Sequence, residues 1–418
     1  MAKPTLIVIG NGMAGVRLVE HLCEFAPDRY RMLIIGNENY GAYNRIQLTP
    51  VLSGEKDFEQ IVTHDAQWYE HHNITLMTGV TATTIDRHAR TVTAAGQIYQ
   101  YDHLVIATGS RPFLPSLPGM ELPGIQGFRT QQDVENILRD TYSDQPVAVI
   151  GGGVLGVEAA AALAQRGMQV TLLHRGPHLM DQQLDEQAGD LLYDRLSLRG
   201  IKVILQAETA SFAPDTAGNI RAINLHDGRE IPAERVVIAV GVRPEIGLAK
   251  QAGLSCDRGI LVDNQLQTSD PQISAIGECC QLGDLTFGLV APCWQQAKTL
   301  ASRLAGIDST STFERQNVPL RLKVTGIDLF CAGELNGDDD AQIHTTFDPF
   351  DGHYRRLVLR DNQVKGVLLW GDISDGPDYL FHISHPTTLQ APLSVFSPAH
   401  EPETSGLPFN QSEPLPVA

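Results

Sequence analysis

The stretch VAVIGGGVLGVEA at residues 147–159 decides the fold. Its apolar run predicts a buried strand, its glycines predict a tight turn, and the small residues that follow open a helix. Glycines in such a turn let backbone N–H groups approach a pyrophosphate, and the helix N-terminus supplies partial positive charge beneath it. The stretch therefore predicts a dinucleotide-binding unit.

A second copy of this pattern lies earlier in the chain, where LIVIGNGMAGVRL at residues 6–18 has the same order of strand, turn and helix. A second strand follows each helix, RMLIIG at 31–36 and MQVTLLH at 168–174. A similar closing strand comes later in each copy, LVIATGSRP at 104–112 and VVIAVGVRP at 236–244. One such motif alone is weak evidence, but two complete βαβ copies predict an α/β protein with two Rossmann-like domains.

Composition limits the classes of function. Of the 418 residues, 42% are hydrophobic and 19% charged, as in ordinary globular proteins. The formal net charge of −18 argues against binding to nucleic acid or to an anionic membrane surface. No apolar run approaches the roughly 20 residues that span a bilayer, and TLIVIG near the N-terminus is too short for a signal peptide. We therefore expect a cytoplasmic protein.

The cysteines and histidines form no metal-binding pattern. No C-x-x-C, H-E-x-x-H or nucleophile-elbow motif occurs, so we expect no metal and no serine-type catalysis. Adjacent Cys279 and Cys280 are interpreted as small packing residues rather than a vicinal disulfide. The other four cysteines are expected to be reduced thiols, and the histidines are expected to be surface or packing residues: Cys23, Cys256, Cys293 and Cys331; His71, His72, His382 and His385.

Together these features resemble the two-dinucleotide-binding-domain flavoprotein family, in which FAD occupies the first Rossmann unit and NAD(P)H the second. Within that family the chain is most similar to the N-terminal FAD-binding region of assimilatory nitrite reductase large subunits and to rubredoxin reductases. The phrases that carry the resemblance are IGNGMAG, AYNRIQLTPVLSGE, TLLHRGPHLMDQQLD, SAIGECC and FGLVAP, with RLKVTGIDLFCAGEL and VKGVLLWGD in the small domain that follows.

The resemblance implies two Rossmann-like domains and a small C-terminal α+β domain. The FAD-binding domain is expected at 1–113 and again at 246–312, with the NAD(P)H-binding domain between them at 114–245. The small domain is expected at 313–397, followed by a proline-rich, disordered tail at 398–418.

On the FAD side, the resemblance assigns the pyrophosphate to the first glycine turn and a phosphate contact to Arg45. The family's ribose acid is replaced by Asn37, with Glu38 one residue later, and either could bind the ribose. Glu278 matches the acid that accepts a ribityl hydroxyl, although most relatives have aspartate there. Pro50 replaces a lysine of many relatives, so a lysine contact is lost. The expected FAD-side residues are Gly10, Gly12, Ala14, Gly15, Asn37, Glu38, Arg45, Ala82, Thr108, Gly109, Arg129, Gly277, Glu278, Pro292 and Trp294.

On the NAD(P)H side, Glu158 matches a glutamate that relatives place near the nicotinamide; the alternative is a carboxylate that only suits the helix dipole. His174 and Arg175 stand where an NAD enzyme usually has an acid, which favours tolerance of a 2′-phosphate. Histidine also occurs there in NADH-using relatives, so the choice between NADH and NADPH stays open. The expected residues on this side are Gly151, Gly153, Gly156, Glu158, His174, Arg175 and Gly241.

The leading hypothesis is an NAD(P)H-dependent FAD reductase. A nicotinamide gives up two electrons as hydride, whereas an iron protein accepts one at a time, and a flavin can do both. The expected acceptor is a separate iron protein: a nitrate- or nitrite-assimilating reductase, a rubredoxin or a ferredoxin. The oligomeric state stays open, with a homodimer among the alternatives.

Two other functions compete with this hypothesis. A disulfide reductase or cysteine-dependent NADH oxidase is disfavoured, because no cysteine lies between Cys23 and Cys256. A redox sensor that binds both nucleotides is not excluded by any residue. In the small domain, clustered positive charge could dock an acidic iron protein, although scattered solvated residues are the favoured interpretation: Arg315, Arg321, Lys323, Arg355, Arg356 and Arg360.

Overall fold

The computed structural model describes residues 3–139, 141–322, 324–337 and 340–386. The chain forms two compact units: a first unit of residues 1–175 and 199–315, and a second unit of residues 176–198 and the chain from 316 onward. The tail expected at 398–418, and residues 387–397 of the expected small domain, lie outside the described residues.

The helices and strands alternate along most of the first unit. The helices of the described residues are α1 (Met13–Phe25), α2 (Leu48–Ser53), α3 (Ala66–His71), α4 (Gln131–Leu138), α5 (Val154–Gln165), α6 (Glu186–Ser197), α7 (Gly247–Gln251), α8 (Val290–Ala305) and α9 (Gly376–Ser384), with 3₁₀ turns at Arg45–Gln47, Phe58–Ile61 and Gly277–Cys279. The strands are β1 (Thr5–Ile9), β2 (Arg31–Ile35), β3 (Ile74–Met77), β4 (Ala82–Asp86), β5 (Thr91–Ala94), β6 (Gln97–Gln100), β7 (His103–Ile106), β8 (Ser110–Pro112), β9 (Ile125–Gly127), β10 (Pro146–Ile150), β11 (Gln169–Leu173), β12 (Lys202–Ile204), β13 (Thr209–Pro214), β14 (Ile220–Leu225), β15 (Glu230–Pro232), β16 (Arg235–Ile238), β17 (Val242–Pro244), β18 (Ile260–Val262), β19 (Ile273–Ala275), β20 (Cys280–Leu282), β21 (Leu285–Thr286), β22 (Leu320–Arg321), β23 (Leu329–Gly333), β24 (Gln342–Asp348), β25 (His353–Arg360) and β26 (Gln363–Trp370).

Two parallel sheets dominate the first unit. One has the order β19-β7-β1-β2-β3 and the other β12-β11-β10-β16-β9. The central strands β1 and β10 are apolar because both faces of a parallel sheet are covered, and Leu6, Ile7 and Val8 are fully buried. Each glycine turn therefore follows the carboxyl end of a central strand, where open α/β sheets bind ligands.

Smaller sheets complete the first unit. β4-β5-β6 and β13-β14-β15 are antiparallel, β18-β20-β21 is mixed, and β8 pairs with β17 in a two-stranded ribbon. The ribbon matters for function because β8 directly follows one closing strand and β17 follows the other.

The second unit contains an antiparallel sheet of order β22-β23-β26-β25-β24, with α9 packed on β26 and β23. Its core includes Phe330, Leu357, Leu369 and Tyr379. This arrangement confirms the predicted fold class, an α/β protein with two Rossmann-like domains and a small C-terminal α+β domain. In the described part of the chain, no helix has both the length and the apolar character to cross a membrane.

Candidate functional site

The first glycine turn forms an open cradle at the N-terminus of α1. Gly10 has φ +115°, and a Cβ on it would lie 2.1 Å from the carbonyl oxygen of Ala107. A Cβ on Gly15 would lie 2.1 Å from the oxygen of Gly10, so glycine is required for close packing at both positions. At Gly12, the N-cap of α1, a Cβ would meet nothing within 4 Å. Gly12 therefore borders free space that a ligand can enter.

The second turn repeats the first in detail. Gly151 has φ +116°, and its Cβ would lie 2.3 Å from the oxygen of Ala239. A Cβ on Gly156 would lie 1.7 Å from the oxygen of Gly151, whereas one on Gly153, the N-cap of α5, would meet nothing within 4 Å. The chain thus builds the same cradle twice.

Two candidate ribose-binding residues, Asn37 and Glu38, follow the end of β2 and differ in their surroundings. Asn37 is exposed. Glu38 is half-buried and accepts hydrogen bonds from the Tyr43 hydroxyl at 2.6 Å and the Arg45 guanidinium at 2.5 Å. Burial raises the pKa of Tyr43, which keeps its hydroxyl protonated as a donor. Both Glu38 oxygens therefore already have partners within the chain.

A second acid is held in a similar way. Glu278 accepts from the Ser110 hydroxyl at 3.0 Å and forms an ion pair with Arg129. The Arg129 Nε also donates to the Ser110 carbonyl at 2.9 Å, and Arg45 donates to the Arg129 carbonyl at 3.1 Å. Arg45, Arg129, Glu38 and Glu278 thus form one network of two cations and two anions, which come from three segments of the chain.

The two closing motifs meet at the β8–β17 ribbon. Thr108 Oγ1 donates to the Glu245 carbonyl at 2.8 Å, and the Glu245 amide donates to the Gly109 carbonyl at 2.9 Å. Gly109 and Gly241 both have positive φ, +69° and +109°. The ribbon therefore joins the turn that ends the first closing strand to the turn that ends the second.

Other expected FAD-side residues lie around the first cradle. Gly277, with φ +83°, faces Ala14, since a Cβ on it would lie 2.9 Å from the Ala14 Cβ. Pro292 is the third residue of α8 and not its first. Trp294 on α8 stacks with Arg17 of α1, whose guanidinium carbon is 5.3 Å from the ring centroid. Ala82 begins β4, where it is buried.

At the second cradle, the expected residues take different positions. Glu158 on α5 is only 7% exposed and accepts from the Thr49 hydroxyl at 3.3 Å. His174 Nδ1 accepts from the Gly152 amide at 3.1 Å, so its ring faces the glycine turn. Arg175 is exposed. Glu158 and His174 therefore bond to other residues of the first unit, whereas Arg175 is exposed to solvent.

Burial raises the pKa of every cysteine thiol and so disfavours the thiolate. All six are free, with Cys279 and Cys280 fully buried. Burial raises the pKa of both thiols, and burial also raises the pKa of Cys23 to about 11. Cys279 Sγ donates to the Ile276 carbonyl at 3.2 Å. No group of three or more metal-ligating side chains occurs in the part of the chain that the structure describes.

Two of the arginines of the small domain, Arg355 and Arg356, are not the scattered solvated residues that the sequence favours. Arg355 pairs with Asp372 and Asp375 at 2.8 Å each, and Arg356 pairs with Asp185 at 3.0 Å. Both arginine side chains are only 15% exposed and are neutralised by carboxylates within the second unit. Arg360 pairs with Glu334 at 3.3 Å, Arg321 lies over the Phe330 ring, and Arg315 is exposed. Lys323 lies outside the described residues.

Sequence reasoning missed several residues of the site. Thr49, Tyr43 and Ser110 each bond to an acid that the sequence did single out, and Gln296 bonds to Gly277. None of them stands in a motif with its partner: Ser110 and Glu278 are 168 positions apart. Only a three-dimensional arrangement reveals these pairs.

The site fits two dinucleotides. Each cradle has free space above its N-cap glycine and helix N–H groups directed toward it. Three buried polar atoms near the first cradle's elements have no hydrogen-bond partner among the described residues: Asn11 Nδ2, Gln131 Oε1 and Gln296 Nε2. Such atoms are costly unless a ligand or water satisfies them. The open space at Gly12 and Gly153 therefore suits the pyrophosphate of one dinucleotide at each cradle.

Comparison with known proteins agrees with this geometry. The nitrite reductase [NAD(P)H] of Bacillus subtilis (strain 168) is 40% identical over 377 residues, which cover 90% of this chain and 46% of that protein. The assimilatory nitrate reductase electron transfer subunit of the same organism is 36% identical over 416 residues, covering 99% and 53%. A crystal structure of a ferredoxin reductase from Rhodopseudomonas palustris is similar with a TM-score of 0.82 and 26% identity, covering 90% and 93%.

The chain spans about half the length of these two Bacillus relatives. Residues 320–386 match the C-terminal domain of rubredoxin NAD+ reductase, and residues 4–298 match the pyridine nucleotide-disulphide oxidoreductase model. The predicted resemblance, the oxidoreductase class and the cofactor pair of FAD and NAD(P)H are thereby confirmed. The chain belongs to the pyridine nucleotide-disulphide oxidoreductase family.

Proposed function

We propose that the chain is an NAD(P)H-dependent FAD reductase that passes electrons to a separate iron protein. The observation that carries this proposal is the pair of equivalent glycine cradles within one compact unit, joined by the β8–β17 ribbon. Two cradles allow one dinucleotide to stay bound while the other exchanges. When bound, FAD would supply the chemistry that accepts hydride and releases electrons one at a time.

The first cradle is the proposed FAD site. The amides at the N-terminus of α1 would hold the pyrophosphate, and Arg45 and Arg129 supply positive charge near it. Glu278 is fixed by Arg129 and Ser110, which leaves its remaining acceptor capacity for a ribityl hydroxyl. Asn37 is the better candidate for the adenosine ribose, because Glu38 already accepts from Tyr43 and Arg45.

The second cradle is the proposed NAD(P)H site. The amides at the N-terminus of α5 would hold the pyrophosphate, and His174 fixes the turn through Gly152. Glu158 would lie beside the nicotinamide, oriented by the Thr49 hydroxyl. No acid or base is needed for hydride transfer, so the role of these residues is positioning.

The cysteines argue against a dithiol mechanism. A reactive cysteine needs an accessible thiolate of lowered pKa. In this chain burial raises the pKa of Cys279, Cys280 and Cys293, which opposes thiolate formation at each of them.

The acceptor class is proposed from the relatives. One is named as an electron transfer subunit of assimilatory nitrate reductase and another as a ferredoxin reductase. We propose a one-electron iron protein as acceptor: a nitrate- or nitrite-assimilating reductase, a rubredoxin or a ferredoxin. We also propose a cytoplasmic location and the domain division 1–113, 114–245, 246–312 and 313–397.

A matched pair of variants tests which cradle binds which dinucleotide. Gly12→Ala and Gly153→Ala each add a methyl group that meets no protein atom within 4 Å but enters a cradle. Gly12→Ala should lower FAD content and leave the KM for NAD(P)H unchanged in the molecules that retain FAD. Gly153→Ala should keep FAD and raise that KM at least tenfold. FAD loss in Gly153→Ala, or no effect of either variant, would contradict the assignment.

Turnover tests the function itself. With NADH or NADPH the wild-type protein should reduce ferricyanide many times per second, before and after thiol alkylation. The wild-type protein should also reduce ferredoxin, rubredoxin or both. Turnover slower than once per minute would indicate a redox sensor instead, and loss of activity on alkylation would indicate a dithiol enzyme.

A further inference from the structure

Strand β24 lies at the edge of the antiparallel sheet in the second unit, and one of its sides is open. Its seven residues, Gln342–Asp348, pair with β25 along their whole length without a register shift. In the part of the chain that the structure describes, no strand pairs with the other side of β24. An edge strand of this kind presents a row of N–H and C=O groups to which another strand can bond.

β24 lacks the features that usually protect a sheet edge. Its sequence, QIHTTFD, contains no lysine, arginine or proline. By contrast β13, the six-residue edge strand of β13-β14-β15, ends in Pro214 and has two register shifts against β14. β24 is the longest edge strand in the described sheets. It therefore offers more backbone for pairing than any other edge described.

Two apolar side chains of β24 continue a buried row toward the open edge. Ile343 lies opposite Val358 of β25, and Phe347 lies opposite Tyr354. Val358 and Tyr354 are each 1% exposed, whereas Ile343 and Phe347 are 43% and 44% exposed. Residues directly opposite each other share one face of a sheet, so this apolar row runs from the interior to the edge. A further strand beside β24 would cover its exposed end.

The residue order of β24 is complementary to itself. When two copies pair antiparallel about Thr345, Ile343 of each copy lies opposite Phe347 of the other. Such aromatic and β-branched pairs stabilise a sheet. Gln342 lies opposite Asp348, so the single charged residue of the strand does not face its own counterpart. All seven residues are paired in this register, and no like charges meet.

We propose that β24 is a homodimer interface, at which two copies of the chain join their sheets edge to edge by antiparallel pairing centred on Thr345. The two five-stranded sheets then form one ten-stranded sheet about a two-fold axis. The strand has no cation to attract an acidic iron protein, whereas its apolar and polar residues match a second copy of itself. This inference goes beyond the proposed function, because it requires neither a dinucleotide nor an acceptor.

Sedimentation velocity of the full chain measures this association. At about 100 µM, where a dimer with a micromolar Kd is populated, the wild type should sediment with about twice the 45.6 kDa mass of one chain. Ile343→Lys and Phe347→Glu each place a charge opposite an apolar side chain, and each should weaken the dimer at least tenfold. Ile98→Lys, at a 70% exposed residue of the edge strand β6, is the control and should associate as the wild type does.

A mixture of the two variants tests the register. In a mixed dimer Ile343→Lys of one copy faces Phe347→Glu of the other, and opposite charges attract across a strand pair. The mixture should therefore associate at least tenfold more tightly than either variant alone. Urea unfolding midpoints close to that of the wild type establish that each variant is folded.

Three results would overturn the inference. One is a wild type that sediments as a single chain at this concentration, a measurement that depends on no variant. Another is equal weakening in Ile98→Lys, which would mean that any charge at an exposed edge disturbs the association. The third is a mixture that associates no more tightly than its components, because the two copies then do not pair in the register centred on Thr345.

Discussion

We propose that the adenosine end of each dinucleotide meets single residues at the end of the second strand of each βαβ unit. The two units have the same register, because the Gly10 amide bonds to the Ile35 carbonyl and the Gly151 amide to the Leu173 carbonyl, both at 2.8 Å. Asn37 and Arg175 are therefore equivalent positions, two residues past these carbonyls. Neither is an acid, and Arg175 has no ion pair with any residue that the structure describes.

Arg175 should favour NADPH over NADH. A guanidinium can form charge-assisted bonds to a 2′-phosphate, each stabilising by about 1.5–3 kcal/mol, which corresponds to roughly tenfold or more in affinity. We predict that Arg175→Gln lowers the ratio of kcat/KM for NADPH to that for NADH at least tenfold. Arg221→Gln, at an exposed arginine on β14, is the control and should leave the ratio unchanged. An unchanged ratio in Arg175→Gln would exclude this residue as the determinant.

His103 on β7 should make folding sensitive to acid. Burial, assisted by Arg303, lowers its pKa from 6.5 to about 4. The unfolded chain therefore binds a proton that the folded chain rejects, and stability is lost as the pH falls from about 6.5 toward about 4, by up to about 1.4 kcal/mol for each pH unit.

We predict that His103→Gln flattens the pH dependence of the free energy of unfolding in this interval, measured by urea denaturation. His88→Gln, at an exposed histidine, should keep the wild-type slope. Parallel pH profiles for His103→Gln and wild type would show that His103 does not control the acid response.

At the scale of elements, α5 holds α2 at two points. Thr49 of α2 bonds to Glu158, and Arg166, the C-cap residue of α5, donates to the carbonyls of Leu52 and Val51 at 2.6 and 3.1 Å. These carbonyls belong to the last turn of α2, where a cation is favourable. Because α2 directly follows the 3₁₀ turn that begins at Arg45, α5 of the second cradle supports the segment that carries Arg45.

Removing this contact should loosen α2. We predict that Arg166→Met lowers the free energy of unfolding by about 1 kcal/mol or less, since the side chain is exposed, and makes residues 45–54 more sensitive to limited proteolysis. Arg221→Met should leave that segment as resistant as in wild type. Unchanged cleavage in Arg166→Met would mean that packing alone holds α2.

Sequence predicts best those elements whose characteristic residues lie close together in the chain. Both glycine turns stand within thirteen-residue stretches that also contain the strand and the helix start, so spacing alone identified them. The sequence predicts Glu38, Arg45, Arg129 and Glu278 only as separate contacts to FAD and not as one network. The Arg129–Glu278 pair joins residues 149 positions apart and the Arg356–Asp185 pair joins residues 171 positions apart, so sequence spacing predicts neither pair.

At the scale of the whole molecule, the chain combines a unit with two dinucleotide cradles and a second unit that contains the small antiparallel sheet. It spans about half of the two Bacillus relatives. We propose that it supplies reducing equivalents to an iron-containing acceptor.

The most direct test of this account is an anaerobic titration of the FAD-loaded protein with NADPH and with NADH, followed at the visible absorption of the flavin. We predict a yellow protein whose colour is lost completely with about one equivalent of at least one coenzyme, within the time of mixing. A protein that stays colourless after incubation with excess FAD, or whose colour persists under both coenzymes, would contradict it.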